Sequence, residues 1–202
     1  MKYHATLFLI CGSASLAGAQ DFSLSIVSAP STVDSTGGAS FTMSVVGDAS
    51  VGQFYSAAAF SLVSDSPLIT NIDWAFANWP NFPIDGSYAG DGNYSQIIAG
   101  ALWGCGAPPP FCAPTEDARL GETIGVFTVH LAAGVTGQVD FQLLAGDPFS
   151  LEVINWDTGE LWNDTQGTLA LNGTTVNVVP APGAATASGL LGLMMPGSRR
   201  RR

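Results

Sequence analysis

Phe22-Ser-Leu-Ser-Ile26 alternates apolar and polar side chains, and so does Phe41-Thr-Met-Ser-Val45. A period of two marks a strand with one buried face, because successive side chains leave a pleated backbone on opposite sides. Ala29-Pro-Ser-Thr32 and Asp34-Ser-Thr-Gly-Gly38 supply turn residues between them, so the two stretches are expected to pair antiparallel. The pattern recurs along the chain. Phe54 to Val63 reads as a more deeply buried strand through its Ala57-Ala-Ala-Phe60 run, and Leu68 to Trp74 and Ser95 to Trp103 as two more. Thr123 to Leu131 puts Phe127, Val129 and Leu131 on one face, and Gln138 to Leu144 does so with Val139, Phe141 and Leu143. Weaker strands follow at Leu151 to Ile154, near Thr168 to Leu171 and near Thr174 to Val178, where Thr175-Val-Asn-Val178 alternates once more.

Strong helix formers are scarce and Gly, Ser, Thr, Val and aromatics abundant, so the expected fold class is all-β. About ten short strands at this spacing make a two-sheet antiparallel sandwich. The stretch from residue 75 to 94 does not alternate. Trp79-Pro-Asn-Phe-Pro83 and Asp85-Gly-Ser-Tyr-Ala-Gly-Asp91-Gly-Asn93-Tyr94 read as a long loop, and loops of that length in a compact domain often carry function.

The two ends have a different character. Met1 to Ala19 has an early cation in Lys2, an apolar run through Leu7-Phe-Leu-Ile10 and a small-residue close at Ala17-Gly-Ala19. That order is a secretory signal peptide, with Gln20 the expected mature N-terminus. At the other end come Pro180-Ala181-Pro182, a small apolar run from Ala184 to Met195, and Arg199, Arg200, Arg201 and Arg202. This tail resembles the PEP-CTERM sorting signal of bacterial surface proteins, in which a Pro-x-Pro motif, a hydrophobic segment and a basic end are read by an exosortase-type processing enzyme. The apolar run would rise about 18 Å as a helix against a hydrocarbon core of about 30 Å, which suits a transient, processed anchor. A plain solvated end is the other reading. The expected organisation is a signal peptide over 1–19, an acidic sandwich domain over 20–178 and a sorting tail over 179–202, with the protein exported to the bacterial cell surface or extracellular matrix.

All sixteen acidic residues lie between Asp21 and Asp164, where the only basic residue is Arg119. The exported part thus carries an excess of 15 negative charges, larger than the whole-chain net of −10. Nucleic acid and anionic membrane surfaces need a basic footprint and are excluded as its partners. Such a surface either keeps an extracellular protein soluble or attracts hard cations, Ca²⁺ above all, through oxygen ligands.

A weaker resemblance lies in the middle of the chain. Ser23 to Val33, the Gly-rich turn and Phe41-Thr-Met-Ser-Val45 are similar to the opening strand pair of cohesin-like domains, and Glu122-Thr-Ile-Gly-Val-Phe-Thr-Val129 to one of their late strands. The resemblance implies a jelly roll related to carbohydrate-binding modules and a role in adhesion or scaffolding. It implies no individual binding residue.

Cys105 and Cys112 enclose a proline-rich stretch and are the only cysteines once the signal peptide is removed. In an exported chain they are expected to form a disulfide worth about 2–3 kcal/mol. Trp74, Trp79, Phe82, Tyr88, Tyr94 and Trp103 cluster in and around the long loop. Their rings could stack on sugar faces while amides and carboxylates bind hydroxyls, or they could pack as a satellite core; both roles suit large aromatics. Asp85, Asp91 and Asn93 share one Gly-rich loop and are candidate calcium ligands, although the spacing is not that of an EF-hand and turn capping explains them equally. Asp157, Glu160 and Asp164 form a second, looser set. His130 falls in a strand pattern, on its polar face. No catalytic residue emerges: the glutamates Glu116, Glu122, Glu152 and Glu160 form no recognisable pair, and no serine-nucleophile elbow is present. The chain therefore reads as a non-catalytic surface or matrix protein, adhesive or structural. The alternatives are a cohesin-like or carbohydrate-binding module, calcium-assisted or not, whose partner is an extracellular polysaccharide or another surface protein, and a small polysaccharide-active enzyme.

Overall fold

The computed structural model describes residues 20–103 and 113–180. Its elements are β1 (Gln20–Val27), β2 (Thr32–Asp34), β3 (Ala39–Ala49), β4 (Phe54–Val63), β5 (Ile69–Phe76), β6 (Phe82–Ile84), β7 (Tyr88–Gly90), β8 (Asn93–Gly100), β9 (Thr123–Leu131), β10 (Gly137–Ala145), β11 (Leu151–Ile154), β12 (Leu161–Asn163), β13 (Gly167–Asn172) and β14 (Thr174–Val179), with single 3₁₀ turns at Glu116–Ala118 and Asp164–Gln166. The expected signal peptide, the Cys105–Cys112 bridge and the tail residues Ala181, Pro182 and Arg199 to Arg202 lie outside the described residues.

One sheet has the order β13-β1-β3-β9-β5. The other is built around β4, which pairs with β11 and then β10 along one edge and with β8 along the other; β12, β14 and β2 extend the first side, and β6 and β7 both lie on β8. Period-two alternation decides the packing. Phe41, Met43 and Val45 of β3, Phe127 and Val129 of β9, and Val139, Phe141 and Leu143 of β10 point into the space between the sheets. Ala58, Phe60 and Leu62 of the central β4 are fully buried among them. An aromatic cluster joins the two layers: Phe60 meets Trp74 edge-on at 5.6 Å, Trp74 lies 4.4 Å from Phe127, and Tyr94 lies 5.7 Å from Phe127. Such pairs add roughly 0.5–1.5 kcal/mol each beyond the area they bury.

The all-β, two-sheet sandwich is as expected, and β1 does pair antiparallel with β3. Two pairings, however, are parallel: β1 with β13 and β14 with β2. The cause is topological. The chain crosses from the first sheet to the second between β1 and β2, and crosses in the same sense between β13 and β14. Two like crossings laid side by side make both pairings parallel. The second crossing turns at Gly173, where a Cβ would come 2.1 Å from the Phe141 carbonyl oxygen, so only glycine fits. The expected loop from 75 to 94 also holds structure, since β6 and β7 fold back onto β8. These strands of three residues, like β2 and β12, are too short to show a period.

Candidate functional site

Most of the aromatic set is structural. Trp74 is 8% exposed and lies against Gly125, where a Cβ would fall 2.2 Å from its ring. Trp79 is 3% exposed and packs tilted on Tyr55 at 5.3 Å. Tyr94 is buried; its hydroxyl donates to Asp85 Oδ1 at 3.0 Å, and burial, then that carboxylate, push its pKa up to about 12. Tyr88 donates to the Ile69 carbonyl at 2.9 Å, and Trp103 Nε1 to the Tyr55 carbonyl at 2.7 Å. Trp74, Trp79 and Tyr94 are thus enclosed in the core and present little ring surface to solvent. Phe82 differs, with 53% of its surface open to solvent.

The acidic candidates hold turns. Asn93 Oδ1 accepts from the backbone of Ser64 at 3.1 Å, and its Nδ2 donates to Asp65 at 3.0 Å. Asp91 sits at φ 49°, and its carbonyl accepts from Ser66 N at 2.6 Å. Asp85 holds the Tyr94 hydroxyl. Among the described residues no group of three His, Cys, Asp or Glu side chains is gathered to hold a metal. Asp164 Oδ1 accepts the backbone N–H groups of Ser150 and Leu151 at 2.7 and 2.8 Å, fixing the entry to β11. His130 Nε2 lies 2.8 Å from Asp73 Oδ2 on the outer face of the first sheet.

The open side of Phe82 belongs to a constellation that crosses four strands. Register places Phe82 of β6 opposite Gly100 of β8, Gly100 opposite Ala57 of β4, and Ala57 opposite Glu152 of β11. Glycine and alanine in the middle leave a trough of about 280 Å³ between Phe82 and Leu102 on one side and Glu152 on the other. A β-bulge shapes the far wall. Glu152 opposes Ala57 while Val153 opposes Tyr55, so Ser56 is left over. Bulges re-aim side chains in this way, and the Ser56 hydroxyl donates to Glu152 Oε1 at 2.8 Å. The near wall is pinned by Asn81, whose N–H donates to the Gly100 carbonyl and whose Oδ1 accepts from Leu102 N, both at 3.0 Å. Leu102 and Ile84 are 63% and 58% exposed, so with Phe82 they form an apolar margin on the sheet.

Among the described residues, Glu152 is the one ionisable side chain lining the trough. A lone carboxylate beside apolar walls can bind a cation or accept hydrogen bonds; two-carboxylate hydrolysis needs a second acid facing the first. Sequence reasoning singled out Phe82 but gave Ser56 and Glu152 no binding role. The trace it could have used is the small residues of the two strands, Ala57 in the Ser56-Ala-Ala-Ala59 run and Gly100 after Ala99.

No family model matches the chain, and no curated protein matches it. Among solved structures it is similar to a cohesin module from a Clostridium perfringens family 33 glycoside hydrolase, at 10% identity over 80% of this chain and 98% of that one, TM-score 0.47. It is similar also to the seventh ScaB type I cohesin of Pseudobacteroides cellulosolvens, at 10% identity over 91% and 99% of the two chains, TM-score 0.47. A non-cellulosomal cohesin from Archaeoglobus fulgidus gives 12% identity over 84% and 98%, TM-score 0.40. At these scores the sandwich assignment rests on the strands and pairings themselves.

Proposed function

We propose that this chain is an exported, non-catalytic β-sandwich module, adhesive or structural, that works by binding at a bacterial cell surface or in the extracellular matrix. The observation that carries the binding role is the apolar margin of Phe82, Ile84 and Leu102, each more than half exposed, beside the Glu152 trough. Exposed apolar side chains grouped on an otherwise polar, acidic surface mark interaction sites. Export and display are supported by the sequence at both ends: the small-residue close at Ala17-Gly-Ala19, and a tail running from Pro180 to Arg202 that suits an exosortase-type enzyme. The Cys105–Cys112 bridge belongs to the same reading, since an oxidising compartment favours it.

Intact mass of the protein recovered from its producing cells tests the address. A mass corresponding to Gln20 through the neighbourhood of Pro180, two units lighter for a disulfide, is expected; a mass retaining Met1 and Arg202 would refute it. Release of reducing ends from a polysaccharide, lost on Glu152→Gln, would instead make the protein an enzyme.

A further inference from the structure

We propose that the trough between Phe82 and Glu152 docks a cationic segment of a partner protein, an arginine or lysine flanked by apolar residues in extended chain. The inference rests on the binding role above and names the chemistry of the partner. Three interstrand steps separate Phe82 from Glu152, about 14 Å between Cα atoms. Both side chains line the same trough, which has room for one extended chain rather than a globular face. Gly100 and Ala57 give it a flat floor, along which the alkyl stem of a long basic side chain can lie. Glu152 Oε1 takes the Ser56 hydrogen bond, and Oε2 has no bond to a described residue, so one carboxylate oxygen remains for a cation.

Charge selects among possible occupants. The described residues contain sixteen acids and one base, Arg119, which is bound to Glu116 at 2.6 Å. The resulting field draws cationic segments toward the molecule and turns anionic polymers away. A second copy would bring the same negative excess to the interface. A neutral glycan would gain nothing from the field and would meet a single ring.

The test is fluorescence anisotropy of the full chain with labelled peptides carrying a central Leu-Arg-Val, Leu-Gln-Val or Leu-Glu-Val. The arginine peptide should bind best, with Phe82→Ala and Glu152→Gln each weakening it about tenfold, as loss of a central anchor does. Binding should fall with added salt, and Glu152→Lys should abolish it. Circular dichroism establishes that each variant is folded. No binding at millimolar peptide, or binding that all three variants retain, overturns the proposal. So does a neutral oligosaccharide held through Phe82 but indifferent to Glu152→Gln, or self-association lost on Phe82→Ala. These last two results would leave the binding module standing with another ligand, whereas an unprocessed intact mass would remove the surface address and leave the trough chemistry untouched.

Discussion

Removing the Tyr55 hydroxyl should cost this domain far more than one oxygen atom suggests. Tyr55 is wholly buried; its hydroxyl accepts from Gly47 N at 2.9 Å and lies 2.6 Å from the Gly47 carbonyl and 2.8 Å from the Glu122 carbonyl. One hydroxyl from β4 thus ties β3 to the start of β9. The site lies next to the bulge at Val45 and Val46, where the β3–β9 ladder shifts register. In Tyr55→Phe the ring stays and no cavity opens, so the loss is the unpaired backbone. Gly47 O keeps a second donor, Gly121 N at 2.8 Å, but Gly47 N and Glu122 O lose the hydroxyl. A buried group left unpaired costs about 1–3 kcal/mol, so about 2 kcal/mol is expected. For a domain of this size that lowers Tm by about 4–8 °C. Urea unfolding of wild type and variant, with unchanged m-value, reads the difference. A variant within about 0.5 kcal/mol of wild type would refute the clamp.

The same hydroxyl sets an alkaline limit. Burial first raises the Tyr55 pKa from 10.0 to about 12, and Tyr94 is raised similarly. A folded-state pKa above the unfolded one means that the stability is complete below about pH 10 and is lost as pH rises toward 12; tyrosinate absorbance and loss of fold should coincide there. Gly125→Ala pushes a methyl into Trp74 and should destabilise by about 1–3 kcal/mol, read by near-ultraviolet circular dichroism and thermal melting. Asp164→Ala unpairs two backbone N–H groups and should cost about 2 kcal/mol, with Asp164→Asn, which keeps an acceptor, costing clearly less in the same urea titration. Asn93→Ala should cost about 1–2 kcal/mol equally with calcium or with chelator, because its amide holds residues 64 and 65; a calcium-dependent cost would instead support the metal reading.

Long strands were the easiest part to read. Phe54–Val63 and Thr123–Leu131 have the bounds their side-chain patterns indicate, because a buried run and an alternation are both local properties of the chain. β6 and β7 were hidden for the converse reason: strands of three residues that contain Pro83 or Gly90 show no period, and only pairing with β8 makes them strands. The candidate site was legible only at Phe82. Trp79 and Phe82 stand three positions apart in the same irregular stretch, yet one is buried on Tyr55 and the other is half exposed.

By itself, then, the order of residues determined a β chain with buried faces at Phe41, Met43 and Val45 or Phe127 and Val129, a surface with almost no base, and two ends unlike the middle. These follow from neighbours along the chain, whose pleat and charge need no distant partner. Tertiary structure decided that β1 runs parallel to β13, which rings close the core, and that Phe82 and Glu152 face each other across Gly100 and Ala57. That juxtaposition joins residues seventy positions apart through the registers of four strands, and a register exists only once the two sheets have closed on a common core.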